Sequence, residues 1–171
     1  MVFSTAGNIP HASSNRTSDS IREGRLFCKQ AGCPACIAIA NGKIVDVSPA
    51  PPETNLPRLR FLDALVLPGL VDVHAHPACQ GSVWGIDPDE HMLPGGVTTV
   101  MSQGDAGADN WQDYQRHTIR RSQTRVLMAM NPSAIGESTS SGCFECLGAV
   151  DVERCIAAIA DGGEHMCQPS R

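Results

Sequence analysis

Two histidines separated by one residue are the strongest candidates for chemistry in this 171-residue chain. His74 and His76 end a strand-like segment, Val71-Asp72-Val73-His74-Ala75-His76. Because side chains alternate between the two faces of a strand, both imidazoles share one face with Asp72. Neutral imidazole is the commonest protein ligand of divalent metals. The spacing therefore predicts a metal site at the end of this strand, with Asp72 beneath the two ligands in a supporting or packing role.

A structural role is the alternative for any bare His-x-His motif, with both rings exposed on an edge strand or one ring packed inside. The flanking residues change that balance. A Pro68-Gly69 turn precedes the strand, and Pro77 follows it. Proline has no N–H group to donate, so Pro77 is expected to end the strand pairing just beyond the histidines. This context favours the metal site.

Three later segments add weight to this interpretation of the strand that carries the histidines. They are Gly85-Ile86-Asp87-Pro88-Asp89-Glu90, Gly95-Gly96-Val97-Thr98-Thr99-Val100 and Gly104-Asp105-Ala106-Gly107-Ala108-Asp109-Asn110. Together with the Pro-Gly turn, the inward Asp and the His-x-His motif, they resemble the N-terminal part of the amidohydrolase superfamily. The branch they resemble holds the dihydroorotase-like cyclic amidohydrolases and the related amidohydrolase/deacetylases. The resemblance covers about residues 21–160.

Local patterns predict the elements that position the pair. Residues 21–67 indicate short strands, with Asn41-Gly42 as a two-residue hairpin turn. After His76 the pattern alternates between strand and helix, which is typical of a parallel α/β sheet or barrel. Asp87 and Asp109 are each expected to cap the start of a helix in this second part.

Two segments have the period of helices with one apolar face. The first face holds Trp111, Tyr114, Thr118 and Ile119. The second lies on a helix over 151–160 and is expected to be packed, with Val152, Cys155, Ile156, Ile159 and Ala160.

The expected fold class is α/β, a truncated (β/α)8 barrel preceded by part of a small β-sandwich, as the resemblance implies. A complete barrel needs about 250 residues, so this chain supplies about three βα units. The expected organisation is a disordered leader over 1–20, the partial sandwich over 21–67, the barrel units over 68–163 and a polar tail over 164–171.

The resemblance also implies the chemistry. In the family, one or two divalent ions, here expected to be zinc, lie at the mouth of the barrel, and the His-x-His motif binds the more buried ion. The ions activate water to hydrolyse an amide, a cyclic amide or an acetyl ester. A carboxylated lysine on the fourth strand often bridges the two ions. The only lysines here, Lys29 and Lys43, precede the histidines. We therefore expect a small-molecule hydrolase by lineage, and an inactive fragment as an isolated chain.

The segment 104–110 follows a predicted strand and would lie at the active end of a barrel. Asp105 and Asn110 are candidates for substrate contacts there. A glycine-rich turn with a helix cap explains the same residues without a substrate, and for Asp105 both interpretations stay open.

Eight cysteines allow a different hypothesis, a Cys-rich zinc-binding protein. The pairs Cys33-Pro-Ala-Cys36 and Cys143-Phe-Glu-Cys146 lie too far apart in sequence for a zinc ribbon. Buried, unreactive cysteines are therefore favoured. A third hypothesis is a non-catalytic partial barrel that forms a homo-oligomer through its open sheet edge.

Charge and hydropathy exclude several classes of binding partner and location. The formal net charge of -5 argues against a nucleic-acid or anionic-membrane surface. No apolar run reaches the roughly 20 residues of a membrane span, and the first twenty residues lack the apolar segment of a secretion signal. A cytoplasmic location is therefore expected.

Overall fold

A computed structural model describes residues 2–4, 19–26, 33–139, 145 and 147–161. These residues fall into two compact units, Met1–Pro68 and Gly69–Arg171. The domain limits given above remain predictions, and the predicted tail over 164–171 lies outside the described residues.

The first unit is a five-stranded sheet with strand order β1-β5-β2-β3-β4. Strand β2 pairs with β5 in parallel, and the other neighbours pair antiparallel. Its buried side chains include Ile21, Ile37 and Val66. The strands are β1 Val2–Ser4, β2 Ser20–Leu26, β3 Cys33–Ala40, β4 Lys43–Ser48 and β5 Arg58–Leu67.

Local turn chemistry decides the hairpin between β3 and β4. Asn41 and Gly42 have φ angles of 51° and 72°. Positive φ at both central residues is the requirement of a type I′ turn, which Asn-Gly meets at low cost. The predicted hairpin is confirmed.

The predicted leader contains a strand that the sequence did not indicate. Val2–Ser4 pairs with β5, placing Phe3 opposite Val66. The edge of β5 has unpaired backbone N–H and C=O groups. An extended segment can pair with these groups whatever its position in the sequence. Residues 5–18 of the predicted leader lie outside the described part of the structure.

The second unit is built on three parallel strands in the order β6-β7-β8. The strands are β6 Leu70–Ala75, β7 Val97–Gln103 and β8 Arg125–Ala129. The helices are α1 Pro88–His91, α2 Trp111–Tyr114 and α3 Val152–Asp161. A π-helical turn over Gln115–Ile119 continues α2. No helix in the described ranges is long and apolar enough to cross a bilayer.

One face of this sheet packs on α2 and the π turn. Val100, Val126 and Met128 of the sheet form a buried cluster with Trp111 and Tyr114. Ile119 belongs to the same cluster and Thr118 is also buried, so the apolar face predicted for this helix is confirmed.

The two predicted helix caps have different outcomes. Asp87 is the N-cap of α1, where its side chain accepts hydrogen bonds from the N–H groups of Asp89 and Glu90. The cap at Asp109 is wrong, because α2 begins at Trp111 and its N-cap is Asn110. The Asp109 carboxylate instead forms an ion pair with Arg154 of α3.

The packed face predicted for α3 is only partly correct. Cys155 is buried and Ile159 packs against the cluster. Val152 is 57% exposed and Ile156 is 61% exposed. Periodicity identifies the apolar side of a helix but not how much of it a neighbour covers, and here the described elements cover only part of it.

Asp89 connects α1 to the start of β8. Its carboxylate accepts hydrogen bonds from the N–H of Gln123 at 2.7 Å, and from the N–H and the hydroxyl of Thr124, both at 2.8 Å. Burial raises the pKa of this carboxyl, but the hydrogen bonds from Gln123 and Thr124 outweigh burial and leave the pKa below its usual value.

We expect Asp89→Asn to lower the free energy of unfolding by about 1–3 kcal/mol at neutral pH, because an amide cannot replace a carboxylate that accepts three hydrogen bonds. A lowered folded-state pKa stabilises the protein above the unfolded-state pKa, and this stabilisation is lost as the pH falls through the folded-state value. The difference between wild type and variant should therefore shrink below about pH 4. Urea unfolding at neutral and acid pH measures this difference in the free energy of unfolding.

The control for Asp89→Asn is Glu90→Gln on the same helix, because the Glu90 side chain is 76% exposed. An equal effect in this control would contradict the assignment.

Candidate metal site at the end of the first parallel strand

His74 and His76 lie side by side at the carboxyl end of β6. Their ring centroids are 6.3 Å apart, and the ring planes are nearly perpendicular at 80°. His74 is exposed, whereas the His76 side chain is only 30% exposed. In parallel α/β folds, ligands bind at this end of the strands. The structure thus brings together the two residues that the alternation pattern selected.

The backbone around His74 departs from regular pairing. The register between β6 and β7 shifts between Asp72 and Ala75. The Gln103 side-chain amide donates a hydrogen bond to the Val73 carbonyl at 2.8 Å. Asp72 accepts one from the His74 N–H at 3.0 Å. Asp72 therefore contacts the backbone of His74, and a supporting role toward a metal remains a prediction.

A buried carboxylate holds the His76 ring. Asp105 has no exposed surface, and its Oδ1 lies 3.0 Å from His76 Nδ1. Its Oδ2 accepts a hydrogen bond from the Ser102 hydroxyl at 2.5 Å. Both oxygens are thus engaged, as a buried carboxylate requires. The observed contacts of the Asp105 side chain are with His76 and Ser102, and a substrate contact remains a prediction.

Two interlocked loops hold Asp105 in place. The loop over 104–110 follows β7, and the loop over 131–137 follows β8. Their backbones are joined by hydrogen bonds from Asn131 N to Ala106 O, Asp109 N to Ala134 O and Glu137 N to Gly104 O, at 2.8–3.2 Å. The Asn131 side chain adds a bond to Gly104 O at 3.0 Å. This pairing satisfies loop backbone groups that would otherwise be buried without partners.

Asn110 belongs to the same loop contact. Its Oδ1 accepts a hydrogen bond from the Gly107 N–H at 2.8 Å, and its Nδ2 donates one to the Ile135 carbonyl at 3.1 Å. The side chain also lines a small cavity with Asp113 and His117. Since both ends of the amide already have partners, its observed role is to join the loops, and a substrate contact remains a prediction.

Side chains of α2 and the π turn form hydrogen bonds with the segment that follows His76. The Tyr114 hydroxyl donates a hydrogen bond to the Pro77 carbonyl, and the Thr118 hydroxyl accepts one from the Cys79 N–H at 3.2 Å. The Ile86 N–H donates to the His76 carbonyl at 3.0 Å. Burial raises the pKa of Tyr114, and the charge of Asp105 raises it further, so the phenol stays a neutral donor.

Sequence reasoning missed Ser102, and it placed Tyr114 and Thr118 only as packing residues. A signal was present for Ser102 and Thr118. Ser102 occupies a buried position on the same face of β7 as Val100, and Thr118 is a fully buried polar residue on an apolar helix face. A polar residue where periodicity demands an apolar one usually has a hydrogen-bond partner.

The histidine pair fits part of a zinc site. Because Nδ1 of His76 faces Asp105, its Nε2 is the ring nitrogen left to bind a metal ion. His74 supplies a second imidazole. A catalytic zinc usually has three protein ligands. Within the described residues, no group of three or more His, Cys, Asp or Glu side chains could hold a metal ion. Two further histidines lie on helical elements rather than on β6, His91 on α1 and His117 in the π turn.

Among the residues that the structure describes, the cysteines belong to no group that could hold a metal ion. Cys36 and Cys155 are buried free thiols, and burial raises the pKa of Cys36. The Cys143-x-x-Cys146 pair and the Cys33 side chain lie outside what the structure describes.

Comparisons with known proteins agree with this architecture. No protein-family model matches the chain. A curated deacetylase of Agrobacterium fabrum is 30% identical over 131 residues, which cover 74% of this chain and 32% of the relative. The chain thus spans about a third of the length of that relative.

Two solved structures have similar folds. A dihydroorotase superposes with a TM-score of 0.74 at 26% identity, covering 86% of this chain and 41% of that chain. An adenine deaminase superposes with a TM-score of 0.73 at 24% identity, covering 86% and 39%, and this likeness shows the fold alone. In the motifs around His74 and His76, in its fold and in these relatives, the chain is similar to members of the amidohydrolase superfamily.

Proposed function

We propose that this chain is the metal-binding N-terminal portion of a hydrolase that cleaves amide or cyclic amide C–N bonds, or an acetyl ester, in small molecules. One observation carries the proposal: two imidazoles lie together at the carboxyl end of a parallel strand, and a buried carboxylate orients one of them. The similarity to a deacetylase and to a dihydroorotase supports the reaction class.

The architectural part of the proposal is that residues 69–161 correspond to the first three βα units of a (β/α)8 barrel, and that the preceding sheet is part of a small β-sandwich. Three adjacent parallel strands with intervening helices support the first statement. The exposed valines of β6 support it too, because Val71 and Val73 are 60% and 63% exposed. In a closed barrel such side chains would be covered by further helices.

Each residue of the site has a role in this proposal. His74 and His76 would hold a divalent ion, with zinc the expected metal. The bound ion would supply Lewis-acid activation of water and of the substrate carbonyl. Asp105 holds the His76 ring, and Asp72 and Gln103 hold the backbone of β6 where the register shifts.

The isolated 171-residue chain is proposed to bind metal weakly and to lack hydrolase activity. Two imidazoles supply fewer ligands than the three of a typical catalytic zinc site. Both lysines of the chain, Lys29 and Lys43, precede β6, so neither lies on a strand that follows the pair.

A cobalt titration of the full chain tests the metal site. We expect His74→Ala/His76→Ala to weaken Co²⁺ binding at least about 100-fold, since loss of ligand support alone costs about 10–100-fold. Equilibrium dialysis gives the affinity, and the Co²⁺ spectrum reports whether thiolates are ligands. The matched control is His91→Ala/His117→Ala, which removes two histidines away from the strand end.

Two results would contradict the proposal. Unchanged affinity in the His74/His76 variant, with thiolate absorption in the Co²⁺ spectrum, would instead support the Cys-rich zinc protein. Hydrolysis of dihydroorotate or an N-acetyl compound by the isolated wild-type chain, lost in the same variant, would overturn the proposed inactivity while supporting the site.

A further inference from the structure

We propose that Asp105 is a positioning residue that selects the tautomer of His76, placing the proton on Nδ1 and leaving the Nε2 lone pair free for a ligand. The inference rests on the proposed function for the identity of that ligand. It concerns a residue that sequence reasoning considered for substrate contact, and it assigns that residue a different task.

The contact between His76 and Asp105 determines which ring nitrogen holds the proton. His76 Nδ1 lies 3.0 Å from Asp105 Oδ1, and the other oxygen, Oδ2, already accepts the Ser102 hydroxyl. An ionised carboxylate has acceptors only, so the hydrogen between Nδ1 and Oδ1 belongs to the imidazole. A neutral imidazole with its proton on Nδ1 has its remaining lone pair on Nε2.

The Asp105 carboxylate is held in one position by its surroundings. The Asp105 side chain has no exposed surface, and its own N–H is directed at the Ser102 hydroxyl at 3.3 Å. The loop over 131–137 closes over its backbone, because a Cβ added at Gly136 would lie 2.5 Å from the Asp105 carbonyl oxygen. A carboxylate held this tightly sets the orientation of its partner, since it cannot follow the ring if the ring turns.

Hydrogen bonds also anchor the backbone at His76 and Pro77. The Pro77 carbonyl accepts the Tyr114 hydroxyl, and the His76 carbonyl accepts the Ile86 N–H. The backbone of His76 is therefore fixed on one side and its ring on the other. This pre-organisation reduces the conformational freedom that the ring would lose when a ligand binds.

The tautomer itself can be measured without any metal. In metal-free chain with ¹⁵N-labelled histidine at about pH 8, where imidazole is neutral, long-range ¹H–¹⁵N correlation distinguishes the two tautomers. A His76→Gln sample identifies the signal among the six histidines of the chain. We expect His76 to be predominantly protonated on Nδ1. In Asp105→Asn, where the side-chain amide can donate as well as accept, we expect the Nε2-protonated form to become the major one.

A second variant separates this role from a general loss of structure. Ser102→Ala removes one partner of Asp105 but leaves the carboxylate, so it should keep the Nδ1-protonated form. Co²⁺ affinity should fall about 10–100-fold in Asp105→Asn, the range for losing the group that orients a metal ligand. An Nε2-protonated His76 in the wild-type chain, or a tautomer unchanged in Asp105→Asn, would overturn the inference.

The two readouts separate this inference from the proposed function. If the tautomer changes in Asp105→Asn as expected but the wild-type chain binds no Co²⁺, the positioning role stands and the metal site fails. If Co²⁺ binds through the histidines but the tautomer is unchanged in Asp105→Asn, the metal site stands and the positioning role fails.

Discussion

Replacement of Trp111 by alanine is expected to lower the free energy of unfolding of the second unit by about 3–5 kcal/mol, the usual range for removing a buried aromatic side chain. Trp111 is 2% exposed and stacks on Tyr114, with ring centroids 6.4 Å apart. It packs in the same cluster as Val100 and Met128 of the sheet. Its removal would leave a cavity between the sheet and α2 that the surrounding backbone cannot close.

The chain supplies its own control, because it has two tryptophans. Trp84 also lies in the second unit but is 57% exposed, so Trp84→Ala should change the stability by no more than about 0.5 kcal/mol. Each variant retains one tryptophan whose fluorescence reports urea unfolding of this unit. Similar losses in both variants would show that the cluster around Trp111 is not the centre of the core.

The second large effect is expected for Gly107→Ala, with a loss of at least about 2 kcal/mol. A Cβ at residue 107 would lie 2.0 Å from the Ser133 carbonyl oxygen and 2.5 Å from the Ala134 carbonyl group. These are backbone atoms, so no rotation of a side chain relieves the overlap. The two loops would have to separate, which would break the hydrogen bond from Asp109 N to Ala134 O.

The measurement for Gly107→Ala has a structural and a functional readout. Urea unfolding gives the loss of stability, and Co²⁺ affinity should fall as well, because the same loops hold Asp105 against His76. The matched control is Gly95→Ala, since a Cβ there would have no atom within 4 Å. That variant should keep wild-type stability or gain up to about 1 kcal/mol. A loss as large at residue 95 as at residue 107 would contradict the importance of the loop contact.

Sequence patterns predicted the features that depend on residues a few positions apart. The type I′ turn at Asn41-Gly42, the N-cap at Asp87 and the neighbouring rings of His74 and His76 are of this kind. Turn conformation, helix capping and the alternation of a strand are all decided within one or two turns of chain. The predicted cap at Asp109 was wrong, since α2 begins at Trp111 with Asn110 as its N-cap, and the Asp109 carboxylate pairs with Arg154, 45 residues away.

Local patterns in the amino-acid sequence were sufficient to predict the alternation of strand and helix after residue 69 and the direction in which the two imidazoles project. Three other features depend on long-range contacts of the folded chain: Asp105 holds His76 across 29 residues, Asp89 joins α1 to β8, and the apolar face of α3 is covered only in part. Periodicity sets which way a side chain points from its own element. The partner it meets depends on which strands become neighbours, and that is a property of the folded chain as a whole.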